Sequence, residues 1–225
     1  MHTFYRNVGP AFETRHFLIA FLKMNELISR DNQLGRSNSE RDDHLSLTLL
    51  QVCMKRVADF HHSDIMLGLK ILADVDFEVY PLESHPIIDW MSAMFKRGLE
   101  KERHWYQKNS IKMLASLDRV KQRYYSHKDF DRQNYAAFES HVKNYVAYHC
   151  RDIKNYYLVE AIKIYSQTGT YNYNMFSKHK LSFDANIQKF IEVLEWRVEN
   201  NHNVPETRRV TDQHVYDTLK VMYER

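Results

Sequence analysis

The chain has 225 residues, 44% of them hydrophobic, enough to bury a core in one large domain or two small ones. Only 5 glycines and 4 prolines are present, too few for the turn chemistry of an all-β or dinucleotide-binding chain, so helices are what remain. Net charge is +3, the two cysteines (Cys53 and Cys150) form no paired spacing, and the densest apolar run, 17–28, is broken by Lys23, Asn25 and Glu26; a disulfide framework, a zinc knuckle and a membrane span are excluded.

In chain order, residues 1–12 carry Arg6 and no acid, a composition open to either a short organellar presequence or an ordinary N-terminal arm. Apolar periodicity then predicts a first helix over 12–29, with Phe12, Phe17, Phe21, Met24 and Ile28 at helical spacing, followed by a polar, flexible loop over 30–43. Asp43 or Ser46 is expected to cap a second helix running through Asp59, and Ser63 a third, whose buried face is Leu67, Ile71, Leu72 and Val75. Pro81 and Pro86 bracket the next connection, and because Pro86 can begin a helix, one is expected to follow over 87–101. Helices over 105–123, 131–150, 153–167, 183–200 and 211–223 complete the set. The expected fold class is all-α, about nine helices in stacked antiparallel pairs, either α-solenoid-like or an irregular bundle. Residues 1–43 would form an N-terminal helix with its loop and 44–225 the array, a single domain overall.

Three segments align: DIMLGLKILA at 64–73, YQKNSIKMLA at 106–115 and YLVEAIKIYS at 157–166. Each has an aliphatic-Lys-aliphatic core followed by a large and then a small residue, with Leu69, Ile111 and Ile162 in register at separations of 42 and 51. Each precedes a turn and a second helix, the order that a helical solenoid requires.

No phosphate-binding glycine loop, HExxH, GxSxG or nucleophilic-cysteine motif occurs, because the five glycines stand alone at 9, 35, 68, 98 and 169. The 13 histidines offer no metal-ligand spacing: His141 and His149 are two helical turns apart with Tyr145 between them, and His61 and His62 are adjacent and diverge. Glu192 and Glu195 read as a solvated face, and Glu199 precedes His202 only at a helix end. The expectation is a non-catalytic protein with no cofactor, no metal and no small-molecule substrate.

Charge is unevenly distributed. Residues 1–100 hold 11 Lys or Arg against 14 Asp or Glu, residues 101–180 hold 15 against 7, and residues 181–225 hold 6 against 8. The basic middle also contains 11 of the 15 tyrosines, among them Tyr145, Tyr148, Tyr156, Tyr157, Tyr171 and Tyr173. Cations neutralise phosphates and aromatic rings stack on unpaired bases, so this mixture suits an RNA-facing surface. The candidate RNA-binding residues are Lys108, Lys112, Arg119, Lys121, Arg123, Tyr124, Tyr125, Lys128, Arg132, Lys143, Arg151 and Lys154, densest in RVKQRYYSHK at 119–128. The competing reading of the same residues is half-buried packing tyrosines and cations satisfying helix C-termini.

The DIMLGLKILA and IKMLASL segments resemble the helix-pair repeats of organellar RNA-binding solenoids, the FAST-kinase-like, octotricopeptide and heptatricopeptide proteins. In these the first helix has the form polar-x-x-x-x-Leu-x-x-Leu-Ala. The resemblance covers residues 45–167, and no terminal RAP-type domain is recognised. It implies a mitochondrial protein that binds RNA or sits within an organellar ribosome. Two roles follow as expectations: a structural subunit of a ribonucleoprotein, with ribosomal-type RNA and neighbouring protein subunits as partners, or an adaptor in a protein-only complex such as a respiratory one.

Overall fold

Each apolar-periodic segment of the sequence is a helix. The computed structural model describes residues 13–33, 40–77, 84–100, 107–168, 185–203, 206 and 209–223. The expectations for residues 1–12, and for the tip of the 30–43 loop, lie outside them. Nine α-helices run through the described residues: α1 (Thr14–Gln33), α2 (Glu40–Lys55), α3 (His62–Asp74), α4 (Ser84–Glu100), α5 (Gln107–Tyr124), α6 (Arg132–Tyr148), α7 (Asn155–Thr168), α8 (Ala185–Glu199) and α9 (Asp212–Tyr223). No strand occurs among the described residues, so the fold class is all-α. Pro86 stands third in α4, where its missing N–H costs no intrahelical bond.

Several helix boundaries differ from expectation. The first helix extends to Gln33, beyond the predicted loop boundary. The second begins at Glu40, so Asp43 and Ser46 lie inside it rather than capping it, and it ends at Lys55 ahead of a 3-10 turn, Val57–Asp59. The third begins at His62, so Ser63 is not its cap: the buried Asp64 carboxylate accepts the amide hydrogen of His61 at 2.9 Å, placing the cap two residues earlier.

The chain divides into two compact units, Met1–Trp105 with Arg119–Glu139 and Tyr106–Asp118 with Ser140–Arg225. In the first, α1 packs on α2 and α3, and α3 on α4. Its core contains Leu18 and Phe21 from α1, Leu50 from α2, Leu69 and Leu72 from α3, and Met94 and Phe95 from α4. Phe95 is the hub of an aromatic group: its ring centroid lies 6.1 Å from Phe130 and 5.5 Å from Tyr135, both edge-to-face, and 6.0 Å from Phe138. Such pairs add roughly 0.5–1.5 kcal/mol each beyond area burial. Cys53 is fully enclosed here, and burial pushes its thiol up to about 12, the behaviour of a small hydrophobe.

In the second unit α7 is central and packs on both α8 and α9. Ile162 and Leu158 are buried on it, and Tyr165 meets Phe190 of α8 edge-to-face at 5.0 Å while its hydroxyl donates to the carbonyl of Lys143 at 2.6 Å.

Two helical glycines mark close approaches in the first unit. A methyl group added at Gly98 would run into the ring of Phe138, and one at Gly68 into the thioether of Met94. Replacing glycine by alanine gains up to about 1 kcal/mol of helix propensity, whereas overpacking a core costs about 1–3 kcal/mol. Gly98→Ala is therefore expected to lower stability by about 1–2 kcal/mol in urea unfolding, since the Phe138 ring is wedged among other aromatics. Gly68→Ala is expected to be close to neutral, because the Met94 side chain can rotate away.

Candidate nucleic-acid interface

The densest basic run occupies the turn from α5 to α6, within the first unit. Helix α5 ends with Tyr125 N–H donating to the Lys121 carbonyl at 3.0 Å, and the turn closes through His127 N–H to Tyr124 O (2.9 Å) and Phe130 N–H to His127 O (3.1 Å). Asp131 caps α6: Oδ1 accepts from the Asn134 amide at 3.0 Å, and Oδ2 from the Asn134 side chain at 2.6 Å and from the Ser92 hydroxyl. Burial alone would raise the Asp131 carboxyl, but these hydrogen bonds, with Lys96 nearby, outweigh it and hold the group below its usual value.

Several cations of this turn are structural fasteners. Arg123 donates to the carbonyls of Val75 (2.7 Å) and Leu72 (3.5 Å), satisfying acceptors at the end of α3. Arg119 pairs with Asp74 at 2.5 Å, a carboxylate that Lys70 also contacts. Lys121 Nζ and the Arg132 guanidinium lie over the Tyr125 ring at 5.6 and 5.4 Å, and Arg132 also donates to the Tyr125 carbonyl at 3.2 Å. Tyr124 is half-buried. Tyr125 is 43% exposed, yet a base stacking on it must displace a cation. Lys128 is exposed, and no hydrogen bond or ion pair engages its ammonium group among the described residues.

A second basic turn, from α6 to α7, belongs to the other unit. It contains the 3-10 turn Cys150–Asp152. Cys150 and Ile153 are buried and plug it inward, so Arg151, Asp152 and Lys154 face solvent. Arg197 of α8 holds this backbone from beneath. Only 1% exposed, its guanidinium donates to the Arg151 carbonyl at 2.7 Å and to Asn155 Oδ1 at 2.5 Å, and the Asn155 amide donates onward to the Arg209 carbonyl at 2.5 Å.

Two tyrosines flank this turn with their rings outward: Tyr148, 79% exposed, and Tyr156, 65% exposed. Tyr148 meets His149 edge-to-face at 4.9 Å, and Tyr156 meets Tyr157 edge-to-face at 5.3 Å. No cation lies over either ring among the described residues. The charge of Glu160 and its hydrogen bond to the phenol push Tyr156 above its usual value, so its hydroxyl stays protonated.

Of the remaining candidates, Lys112 is exposed on α5, and no described group pairs with its ammonium. Lys143 is half-buried with its ammonium 5.7 Å from the Tyr165 ring centroid. The Lys108 side chain lies outside the described residues. Composition alone does not distinguish Tyr148 and Tyr156 from the other tyrosines, but helical phase does. The buried positions 142 and 146 on α6, and 158, 161, 162 and 165 on α7, leave 148 and 156 off the apolar faces.

Elsewhere, a groove of about 530 Å³ runs between α2 and α4, walled by Met54, Trp90 and Ala93 and rimmed by Gln51, Lys55 and Asp89. A Glu-x-x-His spacing at Glu13 and His16 opens α1, where the imidazole Nδ1 accepts the Glu13 amide hydrogen at 3.2 Å and so serves the helix start. Among the described residues no three His, Cys, Asp or Glu side chains converge as a metal site, and no helix is long and apolar enough to cross a membrane. No family model, curated protein or solved structure matches the chain.

Arg197→Leu is expected to cost about 2–4 kcal/mol in urea unfolding, because Asn155 and the Arg151 carbonyl lose a buried charged donor; Arg197→Lys should recover only part of this, since an ammonium lacks the planar fork. Asp131→Ala is expected to cost about 1 kcal/mol near neutral pH. The folded carboxyl titrates below its unfolded value, so its stabilisation is present above that value and disappears as pH falls through the folded one. The gap between wild type and Asp131→Ala should accordingly close as pH drops below about 4, read from unfolding midpoints across a pH series.

Proposed function

We propose that the protein is a non-catalytic structural subunit of a large ribonucleoprotein assembly, an organellar ribosome or RNA-processing complex of the mitochondrion, that contacts RNA through its basic, tyrosine-rich middle. The observation that supports this is the set of exposed cations, Lys112, Lys128, Arg151 and Lys154, that no described carboxylate neutralises, within a stretch holding 15 Lys or Arg against 7 Asp or Glu. Local charge left unpaired at a surface is what releases counterions from a polyanion. The organellar setting comes from the resemblance of the repeated helix segments alone.

A second reading, a helical adaptor in a protein-only complex, is favoured by a different observation. Trp196 and Val198 on α8, and Val215, Tyr216 and Leu219 on α9, are large apolar side chains left exposed, the composition of an interface core.

Fluorescence anisotropy with a labelled unstructured RNA separates the two. Affinity should fall steeply between about 50 and 200 mM salt, by roughly 2.6-fold for each phosphate contact made. The combined substitution Lys128→Glu, Arg151→Glu and Lys154→Glu should abolish measurable binding without unfolding the chain. Arg119 and Arg123 are left in place because they fasten α3. Undetectable binding of wild type at low salt sinks the RNA reading, and co-purifying proteins retained by the triple variant would then favour the adaptor.

A further inference from the structure

We infer, resting on the RNA reading above, that the α6–α7 turn is a stacking site for unpaired nucleotides, with Tyr148 and Tyr156 as the platforms and Arg151 and Lys154 as the phosphate contacts.

The tyrosines of this region differ in how they are covered. Tyr135 and Tyr165 are enclosed in their cores, and Tyr125 carries a lysine and an arginine over its ring. Tyr148 and Tyr156 are the two most exposed large aromatic side chains among the described residues. Each touches one aromatic neighbour edge-to-face, with interplanar angles of 81° and 73°, and such a contact occupies at most one face of the ring. A flat π-face therefore stays open on each tyrosine, beside two cations on the connecting turn.

The platform is held rigid from below. Arg197 binds the Arg151 carbonyl and the Asn155 side chain, which lie between the two tyrosines in the chain. Because the backbone is pinned before any ligand arrives, binding costs little ordering of the turn. Bases in a duplex already stack on one another and offer no face, so such a site selects single strands, and it tolerates sequence because every base has a π-face. Asp152 and Glu160 are the neighbouring acids; they repel phosphate, leaving Arg151 and Lys154 to set the backbone path.

The test uses the full chain, with labelled oligouridylate of about a dozen nucleotides and an RNA duplex of equal length as probes. The single strand should bind at least about tenfold more tightly than the duplex. Tyr148→Ala and Tyr156→Ala should each weaken oligouridylate binding about tenfold, and Tyr148→Phe and Tyr156→Phe should retain it. Both tyrosines are exposed, so the alanine variants should keep their helical circular dichroism, and that spectrum is the folding control. Equal affinity for duplex and single strand, or alanine variants that bind like wild type, would overturn stacking while leaving charge-driven RNA contact intact. Failure of both probes to bind at low salt would overturn stacking and the RNA reading together.

Discussion

The buried guanidinium of Arg197 is the interaction on which the second unit is organised. Removing a charge from water is expensive, and the cost is offset only when its donors are met with good geometry. Here they meet the Arg151 carbonyl and Asn155, and Asn155 passes the connection to the Arg209 carbonyl. Asn201 adds a two-way link to Val210, accepting its amide hydrogen and donating to its carbonyl. One side chain on α8 thereby sets the height of the α6–α7 turn, the start of α7 and the approach to α9. Greasy contacts such as Tyr165 against Phe190 supply more area but tolerate sliding. A forked polar key does not slide, and that distinction decides whether Tyr148 and Tyr156 are presented in one geometry or many.

The first unit is held differently. Its key is apolar, the ring of Phe95 among Phe130, Tyr135 and Phe138, with polar fasteners around it. Arg119 and Arg123 lie on the surface of α5, yet both are spent on α3, one against a carboxylate and one against the carbonyls that the helix end leaves open. A cation at a helix C-terminus also meets the negative end of the dipole. Two residues of the most basic run in the sequence thus do structural work that needs no ligand.

Helix content was legible because it depends on local periodicity; all nine predicted segments overlap observed helices. At the third helix two polar residues compete within one turn: Ser63 is the better cap by type, but the chain uses His61, two residues earlier, with the Asp64 carboxylate. The aligned segments show a limit of another kind. Lys70, Lys112 and Lys163 are exposed while Leu69, Ile111 and Ile162 are buried, as the shared frame requires. Any half-buried helix imposes the same alternation, so burial adds nothing that separates a repeat from ordinary amphipathicity. At the candidate interface, composition marked a basic stretch but not which of its cations already have partners within the chain. Asp74 is 45 positions from Arg119 and Val75 is 48 from Arg123, and no local pattern encodes partners so distant.

Regional charge is therefore a poor measure of what a polyanion would meet. Screening at physiological salt confines surface electrostatics to about 8 Å, so a phosphate responds to the few cations beside it and not to a balance summed over eighty residues. By that measure the α5–α6 turn is weaker than its sequence suggests, since Asp74, two carbonyls and one tyrosine ring already engage four of its cations. The α6–α7 turn has fewer cations and an acid between them, so charge alone would make it the lesser site. What it has in addition is open aromatic surface, which salt does not screen. On the stacking proposal, unpaired bases would use that surface and duplexes would not, so the sparser turn would be the one to discriminate between them.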